Sequence, residues 1–246
     1  MREKVAIVTG AGAGIPRQIA ERLASDGARL VVSDVDPRRA HALAARLGGA
    51  EARTLVVRAD ATTTAGIETL FEMTARVFGR LDAVVHSVGR APSSVRFLDM
   101  DEVEWDAAVR RPLASVYLCC QRAAKLMQDG GAGGCIVIMN PFGAMAPLGA
   151  LAAHGALNGA VEAFTRSMAQ DLQPFGIRAN FVLATPAQAR SAGADYTISR
   201  SPGSGASPCP ESPDLADAVS AVAFLVSDRA AQVTGQTLHV GRGRLS

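Results

Sequence analysis

The chain is 246 residues long, with 48% hydrophobic and 20% charged residues, so it can bury a large core and is not expected to be disordered. A formal net charge of +2 and an aromatic content of 4% argue against nucleic acid or a membrane surface as the main partner. The sequence has no apolar run that could span a bilayer, and we expect no signal peptide before its first strand. We interpret the four cysteines as reduced thiols of a cytoplasmic protein and predict no metal site: Cys119, Cys120, Cys135 and Cys209.

Short apolar runs alternate with longer helical patterns along the whole chain. The runs predict strands at residues 4–9, 29–34, 53–58, 81–87, 134–140, 177–183 and 236–240. The helical patterns cover residues 17–25, 37–47, 65–78, 103–127, 151–173 and 214–227. This alternation predicts an α/β fold in which helices flank both faces of a doubly wound parallel sheet, as one domain over residues 1–246.

The segment 199–214 is dense in serine, proline and glycine. Such a composition buries too little apolar surface to offset its ordering entropy, so we expect a mobile loop. It follows the sixth strand, near the carboxyl edge where such sheets bind ligands. Two interpretations stay open, a tolerated surface insertion and a lid over a substrate site.

A glycine-rich turn follows the first strand and opens the first helix. Gly10, Gly12 and Gly14 allow a tight turn whose backbone N–H groups can face a pyrophosphate. Asp34 ends the second strand, where a carboxylate can hold the ribose hydroxyls of NAD and repel an extra phosphate. Its alternative role is to stabilise the amino terminus of the next helix. Asp60, after the third strand, is a candidate acceptor for an adenine amino group.

Four stretches in this order resemble the short-chain dehydrogenase/reductase family: TGAGAGIP, GRLDAVVHSVG, EWDAAVRRPLASVYLCCQ and GQTLHVGRG. The resemblance implies a Rossmann-type sheet, a tetrameric assembly, and oxidation of alcohols or reduction of ketones with NAD or NADP. It also implies that Gly89, the retained glycine of the family's N-N-A-G motif, lies at the cofactor site. The two asparagines of that motif are His86 and Ser87 here, and the third glycine of the turn is Pro16.

The family's four catalytic residues are all replaced. The asparagine position is Pro112 and the serine position is Pro141, and neither proline side chain can donate a hydrogen bond. The tyrosine position, which supplies the general acid/base in the family, is His154. The lysine position is Asn158, which carries no positive charge to hold a ribose or to lower a partner's pKa.

His154 and Asn158 are four residues apart, so we expect them on one face of a helix. His154 alone retains acid/base chemistry, yet a partly buried polar residue is the simpler interpretation. We therefore predict no catalytic residue and no cofactor in this chain, with NAD as the choice if one binds.

The hypothesis that follows is a non-catalytic subunit, which resembles the inactive subunits of heteromeric complexes in the family, such as hydroxybenzylsuccinyl-CoA dehydrogenase. Its partner would be an active paralogue, in a hetero-oligomer that is expected to be a tetramer. The alternatives are an atypical enzyme that uses His154 as acid/base in an oxidoreductase, lyase or isomerase reaction, and an NAD-sensing or small-molecule-binding module.

Overall fold

A computed structural model describes residues 1–48, 54–88, 95–141, 152–184 and 215–240. Gly89 and the expected loop 199–214 lie outside the described residues, so the predictions made for them stay predictions. In the described part, no helix is both long enough and apolar enough to cross a membrane.

Seven parallel strands form one sheet in the described part of the chain, in the order β3-β2-β1-β4-β5-β6-β7. The order reverses direction at β1, between β2 and β4, which makes the sheet doubly wound as predicted. The strands are β1 (Val5–Thr9), β2 (Arg29–Asp34), β3 (Thr54–Arg58), β4 (Ala83–Ser87), β5 (Gly134–Asn140), β6 (Ile177–Ala184) and β7 (Thr237–Val240).

Helices cover both faces of this sheet. They are α1 (Gly14–Ser25), α2 (Pro37–Arg46), α3 (Thr64–Phe78), α4 (Glu102–Trp105), α5 (Arg111–Gly130), α6 (Ala152–Leu172) and α7 (Leu215–Val226). Buried residues of α3, α5 and α6 pack on one face, and buried residues of α1, α2 and α7 pack on the other.

The side chains of β1 alternate between these two helical layers. Val5 and Ile7 belong to the cluster with α3, α5 and α6, whereas Ala6 and Val8 belong to the cluster with α1, α2 and α7. All four are fully buried. A strand covered on both faces needs apolar residues at every position, which is why these strands are continuous apolar runs and not alternating ones.

One predicted helix is interrupted. Residues 103–127 were expected to form a single helix, but a π-helical turn, Asp106–Arg110, separates α4 from α5. The Arg111 N–H donates to the carbonyl of Asp106, five residues back. Pro112 is the second residue of α5, where it has no N–H to give and its ring crowds the carbonyl four residues earlier. The wider π turn accommodates this ring. The proline therefore changes the backbone hydrogen-bond pattern locally, and the helix continues after it.

Helix α1 begins at Gly14, three residues before the predicted start. Pro16 therefore lies in the first turn, where a helix N–H has no intrahelical acceptor and a proline is tolerated. Helix α5 ends at Gly130, three residues after the predicted end at 127. The other predicted element boundaries agree with the structure to within about two residues, the uncertainty usual for helix and strand ends.

Gly66, in the first turn of α3, packs directly on the preceding turn. A Cβ at this position would overlap the carbonyl oxygen of Asp60 and lie 2.8 Å from the Asp60 nitrogen. We predict that Gly66→Ala lowers the free energy of unfolding by about 1–3 kcal/mol, because backbone atoms must move to make room. Urea unfolding monitored by circular dichroism measures the loss.

The matched control is Gly130→Ala at the end of α5, where no atom lies within 4 Å of the added Cβ. Alanine there should raise the free energy of unfolding by up to about 1 kcal/mol through its better helix propensity. Equal effects of the two substitutions would contradict the packing argument for Gly66.

Candidate functional site

The glycine-rich turn lies at the carboxyl end of β1, the position that the sequence predicts. Gly10 and Gly14 have φ values of +65° and +61°, in the left-handed region that glycine adopts without strain. The Ala11 N–H donates to the carbonyl of Ser33 over 2.9 Å, which ties the turn to β2. The space beside Gly10 is open, with the Ser87 Cβ as its nearest atom at 4.0 Å.

Asp34 and Gly12 are brought together as the sequence predicts. The Gly12 N–H donates to Asp34 Oδ2 over 3.0 Å, and the Asp36 N–H donates to Asp34 Oδ1 over 2.9 Å. A Cβ on Gly12 would lie 2.5 Å from Asp34 Oδ2, so glycine is required here by the chain's own packing. Asp36 caps α2 by accepting from the Arg38 N–H, and Asp34 in turn accepts from the N–H of this cap residue. Both roles considered for Asp34, at the ribose and at the amino terminus of α2, stay predictions.

Asp60 is exposed and forms its own turn. Its Oδ1 accepts from the Thr62 N–H at 2.9 Å and from the Thr62 hydroxyl at 2.6 Å. This arrangement fixes the turn between β3 and α3, which the Thr63 side chain caps by accepting from the Gly66 N–H. The role of Asp60 as an adenine acceptor stays a prediction.

His86 and Ser87, which replace the family's two asparagines, connect three elements. The Ser87 N–H donates to Thr9 Oγ1 at 3.0 Å, and Thr9 Oγ1 lies 3.1 Å from His86 Nδ1. On the other side of the ring, His86 Nε2 lies 2.9 Å from the hydroxyl of Ser115 on α5. The hydrogen bonds that link Ser87, Thr9, His86 and Ser115 therefore join β1, β4 and α5. Sequence reasoning missed Thr9 and Ser115, whose only signal was a polar residue within a buried run.

Burial lowers the pKa of His86 to about 4. The imidazole is therefore neutral near pH 7 and exchanges hydrogen bonds with two uncharged hydroxyls. It is a fixed link between strand and helix, and not an exchangeable acid.

The positions that correspond to the family's catalytic residues hold two prolines, a histidine and an asparagine. Pro112 lies inside the helical rod after the π turn, and Pro141 follows β5 in a half-buried position. Both lack a side-chain donor. His154 and Asn158 lie on one face of α6 as predicted, but that face is buried, with exposures of 7% and 1%.

Asn158 is paired with a residue that the sequence did not single out. The Asn140 Nδ2 donates to Asn158 Oδ1 over 2.7 Å, in a buried contact between the carboxyl end of β5 and α6. The other half of the Asn158 amide, Nδ2, has no hydrogen-bond partner among the described residues. Asn140 precedes Pro141 at the end of a buried strand, and this placement was the one signal that could have revealed it.

Among the described residues, those at the glycine-rich turn fit one end of a dinucleotide. The open space at Gly10, the helix terminus at Gly14 and the Asp34 carboxylate suit an adenosine diphosphate group. At the other end, Asn158 is uncharged and its acceptor oxygen is already bound to Asn140. The described residues contain no cluster of three or more His, Cys, Asp or Glu that could hold a metal. Cys119, Cys120 and Cys135 are buried free thiols, and Cys209 lies outside the described residues.

Comparison with known proteins shows the family. The model described as "Enoyl-(Acyl carrier protein) reductase" matches residues 10–244. The chain belongs to the short-chain dehydrogenase/reductase family. This family is one of oxidoreductases that generally bind NAD or NADP.

Its relatives are similar over nearly their whole length. The chain is 30% identical to 3-oxoacyl-acyl-carrier-protein reductase FabG of Escherichia coli over 98% of this chain and 96% of that protein. It is 30% identical to 1-cyclohexenylcarbonyl-CoA reductase of Streptomyces collinus, over 98% of this chain and 87% of that protein. The crystal structure of acetoin dehydrogenase YohF from Salmonella typhimurium has a TM-score of 0.82 at 28% identity, and covers 97% of this chain and 95% of that one.

The buried imidazole of this short-chain dehydrogenase/reductase generates a pH-dependent stability. The pKa of His86 is about 4 in the folded chain, below the value of about 6.5 in an unfolded chain. The unfolded state therefore binds the extra proton first, and folding stability falls as the pH decreases from about 6.5 to about 4. We expect this contribution to be roughly 3 kcal/mol across that range, measured by urea unfolding at several pH values.

The variant His86→Asn should lose this component of the pH dependence while His41→Asn, at an exposed position of α2, keeps it. If His86→Asn and the native chain lose the same stability on acidification, His86 is not the responsible group.

Proposed function

We propose that this chain is a non-catalytic subunit that associates with an active, NAD-dependent alcohol dehydrogenase or ketoreductase of its own family, in a heterotetramer of the cytoplasm. The observation that carries the proposal is the state of the catalytic positions. Two are prolines, one is a buried histidine, and the fourth is an uncharged amide engaged with Asn140.

A hydride-transfer site of this family needs a proton donor at the substrate oxygen and a cation that holds the ribose and tunes that donor. Asn158 supplies no positive charge, and its Oδ1 accepts from Asn140. His154 would have to act as acid/base beside proline positions that offer no side-chain hydrogen bond to a substrate. The named relatives are reductases and dehydrogenases, so the scaffold is shared while the residues needed for their chemistry are not.

The outer surface of α5 and α6 supports association. Seven exposed or half-exposed positions of α6 carry small side chains: Ala152, Gly155, Ala156, Gly159, Ala160, Ala163 and Ser167. Tyr117 on α5 is 48% exposed, and Phe164 on α6 is only partly buried. The small side chains let a second pair of helices approach closely. The approaching helices would also cover aromatic surface that is otherwise in contact with water.

Two exposed glycines of α6 have no packing role among the described residues. Gly155 and Gly159 are the fourth and eighth residues of this 21-residue helix, and no described atom lies within 4 Å of a Cβ built at either. Each glycine costs about 1 kcal/mol relative to alanine in an exposed helix interior. Close approach of a partner helix to the backbone at this i, i+4 pair would offset that cost, since only glycine leaves the backbone uncovered.

The test is co-expression with an active short-chain dehydrogenase encoded by a neighbouring gene. We expect the two chains to co-purify in fixed ratio, and Ala156→Leu on the exposed face of α6 to reduce the recovered partner at least tenfold (about 1.4 kcal/mol of association energy). The matched control is Ala45→Leu, an exposed position of α2 on the opposite side of the sheet, which should leave recovery unchanged. Mass photometry and the partner's activity are the measurements.

Two outcomes would contradict the proposal. One is a chain that remains a homo-oligomer in the presence of the partner, with a partner that is fully active alone. The other is an equal loss of partner with both leucine variants, which would indicate a folding effect and not an interface on α6.

A second candidate function is an atypical enzyme, and the unpaired Nδ2 of Asn158 favours it. A buried donor without an acceptor is costly, and a substrate oxygen bound near His154 would satisfy it. His154 would then exchange a proton with that substrate. The variant His154→Ala should abolish any turnover that the isolated chain shows with alcohols or ketones, and turnover that survives this substitution rules the mechanism out.

For the dinucleotide itself we propose NAD over NADP, and binding weaker than millimolar. The Asp34 carboxylate would repel a 2′-phosphate, and the uncharged Asn158 gives no hold on the second ribose.

A further inference from the structure

A cavity of about 460 Å³ lies at the amino-terminal edge of the sheet, at the opposite end of the strands from the site described above. Its floor and walls come from the segment that leads into β5, the turn that leads into β6 and the residues between α7 and β7. The volume is in the range of pockets that hold small organic ligands.

Two ion pairs stand in the wall of this cavity. Arg80 pairs with Asp82 over 2.5 Å, and the Asp82 side chain also accepts from the Val5 N–H at 2.7 Å, at the start of β1. Lys4 pairs with Asp228, whose pKa is lowered mainly by this lysine. Both carboxylates of the wall are therefore already compensated by cations of the same wall.

A third cation in the wall, Arg178, has no carboxylate within ion-pair distance in the described part of the chain. This half-buried guanidinium donates instead to three neutral carbonyls, those of Leu225 at 2.8 Å, Val233 at 3.2 Å and Ser227 at 3.4 Å. These bonds orient the guanidinium at the start of β6.

The wall therefore has a formal net charge of +1. It contains three cations, Lys4, Arg80 and Arg178, and the two carboxylates of Asp82 and Asp228. The carboxyl end of α7 offsets about half of one charge, since Leu225 belongs to its last turn. A guanidinium has five N–H donors, and Arg178 makes three hydrogen bonds to the carbonyls named above. It therefore retains donors for a further oxygen.

We propose that this cavity is a second ligand site that takes a small organic oxyanion, a carboxylate or a phosphate monoester, with Arg178 as its anchor. Lys4 and Arg80 stand in exposed pairs and can turn from their carboxylates toward the incoming charge. Apolar side chains of the same wall, Ile177, Val226 and Ala231, receive the ligand's hydrocarbon part. The site is independent of the proposed pairing through α6 and of the dinucleotide end of the sheet.

The test uses the purified full-length chain and two probes, inorganic phosphate and acetate, titrated at constant ionic strength. The measurement is the amide NMR shift of Gly133, Gly134 and Gly176, which line the cavity. We expect saturable shifts at these glycines, and an increase of at least tenfold in the dissociation constant for Arg178→Gln. Because that substitution removes three hydrogen bonds, a second variant, Lys4→Gln/Arg80→Gln, tests the same site with two exposed side chains.

The control Arg46→Gln removes an exposed arginine that pairs with Glu21 elsewhere, and should change the dissociation constant less than twofold. Saturation by phosphate alone assigns the site to a phosphate ligand, and saturation by both probes admits a carboxylate. Shifts that do not saturate, or that respond equally to all three variants, overturn the proposal. Neither result depends on the partner, so a failure here is separate from a failure of the proposed subunit role.

Discussion

The structure depends on the burial of a parallel sheet on both of its faces. Because helices cover each face, the strands carry mainly apolar residues, and polar side chains of the sheet gather near the two edges where strands begin and end. At the carboxyl edge, β1, β2, β4 and β5 deliver Gly10, Asp34, His86 and Asn140. At the amino edge, the same topology gathers Lys4, Asp82 and Arg178 around a cavity. Each edge thus collects residues that are far apart in sequence.

The carboxyl edge has the sheet architecture of this family, and its polar side chains form hydrogen bonds with other residues of the chain. Asp34 holds the turn at Gly12, His86 links β1 to α5 through Thr9 and Ser115, and Asn140 engages Asn158. These are bonds within the chain, and they connect the carboxyl ends of the strands to each other and to α5 and α6. They contribute to the stability of the subunit at the edge where sheets of this kind bind ligands.

Helix α5 illustrates how the chain tolerates a residue that should disrupt it. Proline in a helix interior normally costs about 3 kcal/mol or more, because a hydrogen bond is lost and the ring meets a carbonyl. In the π turn before Pro112, the backbone hydrogen bond reaches back five residues and not four, and the helix continues to Gly130. Sequence periodicity predicted the helix, since its apolar face is continuous. It did not predict the π turn, which lies where the Pro112 ring meets the backbone of the preceding turn.

The sequence by itself determined the seven strands, the flanking helices, the glycine turn with Asp34, and the absence of the Tyr and Lys side chains, because periodicity, glycine positions and residue identity are local properties. The tertiary structure alone decided that the face of His154 and Asn158 is buried and that Asn140 is the partner of Asn158. It also decided that Arg178 lines a cavity and has no carboxylate of the described residues within ion-pair distance. These facts concern contacts between residues 18 or more positions apart, and such contacts are set by how the strands line up and the helices pack, which no short stretch of sequence encodes.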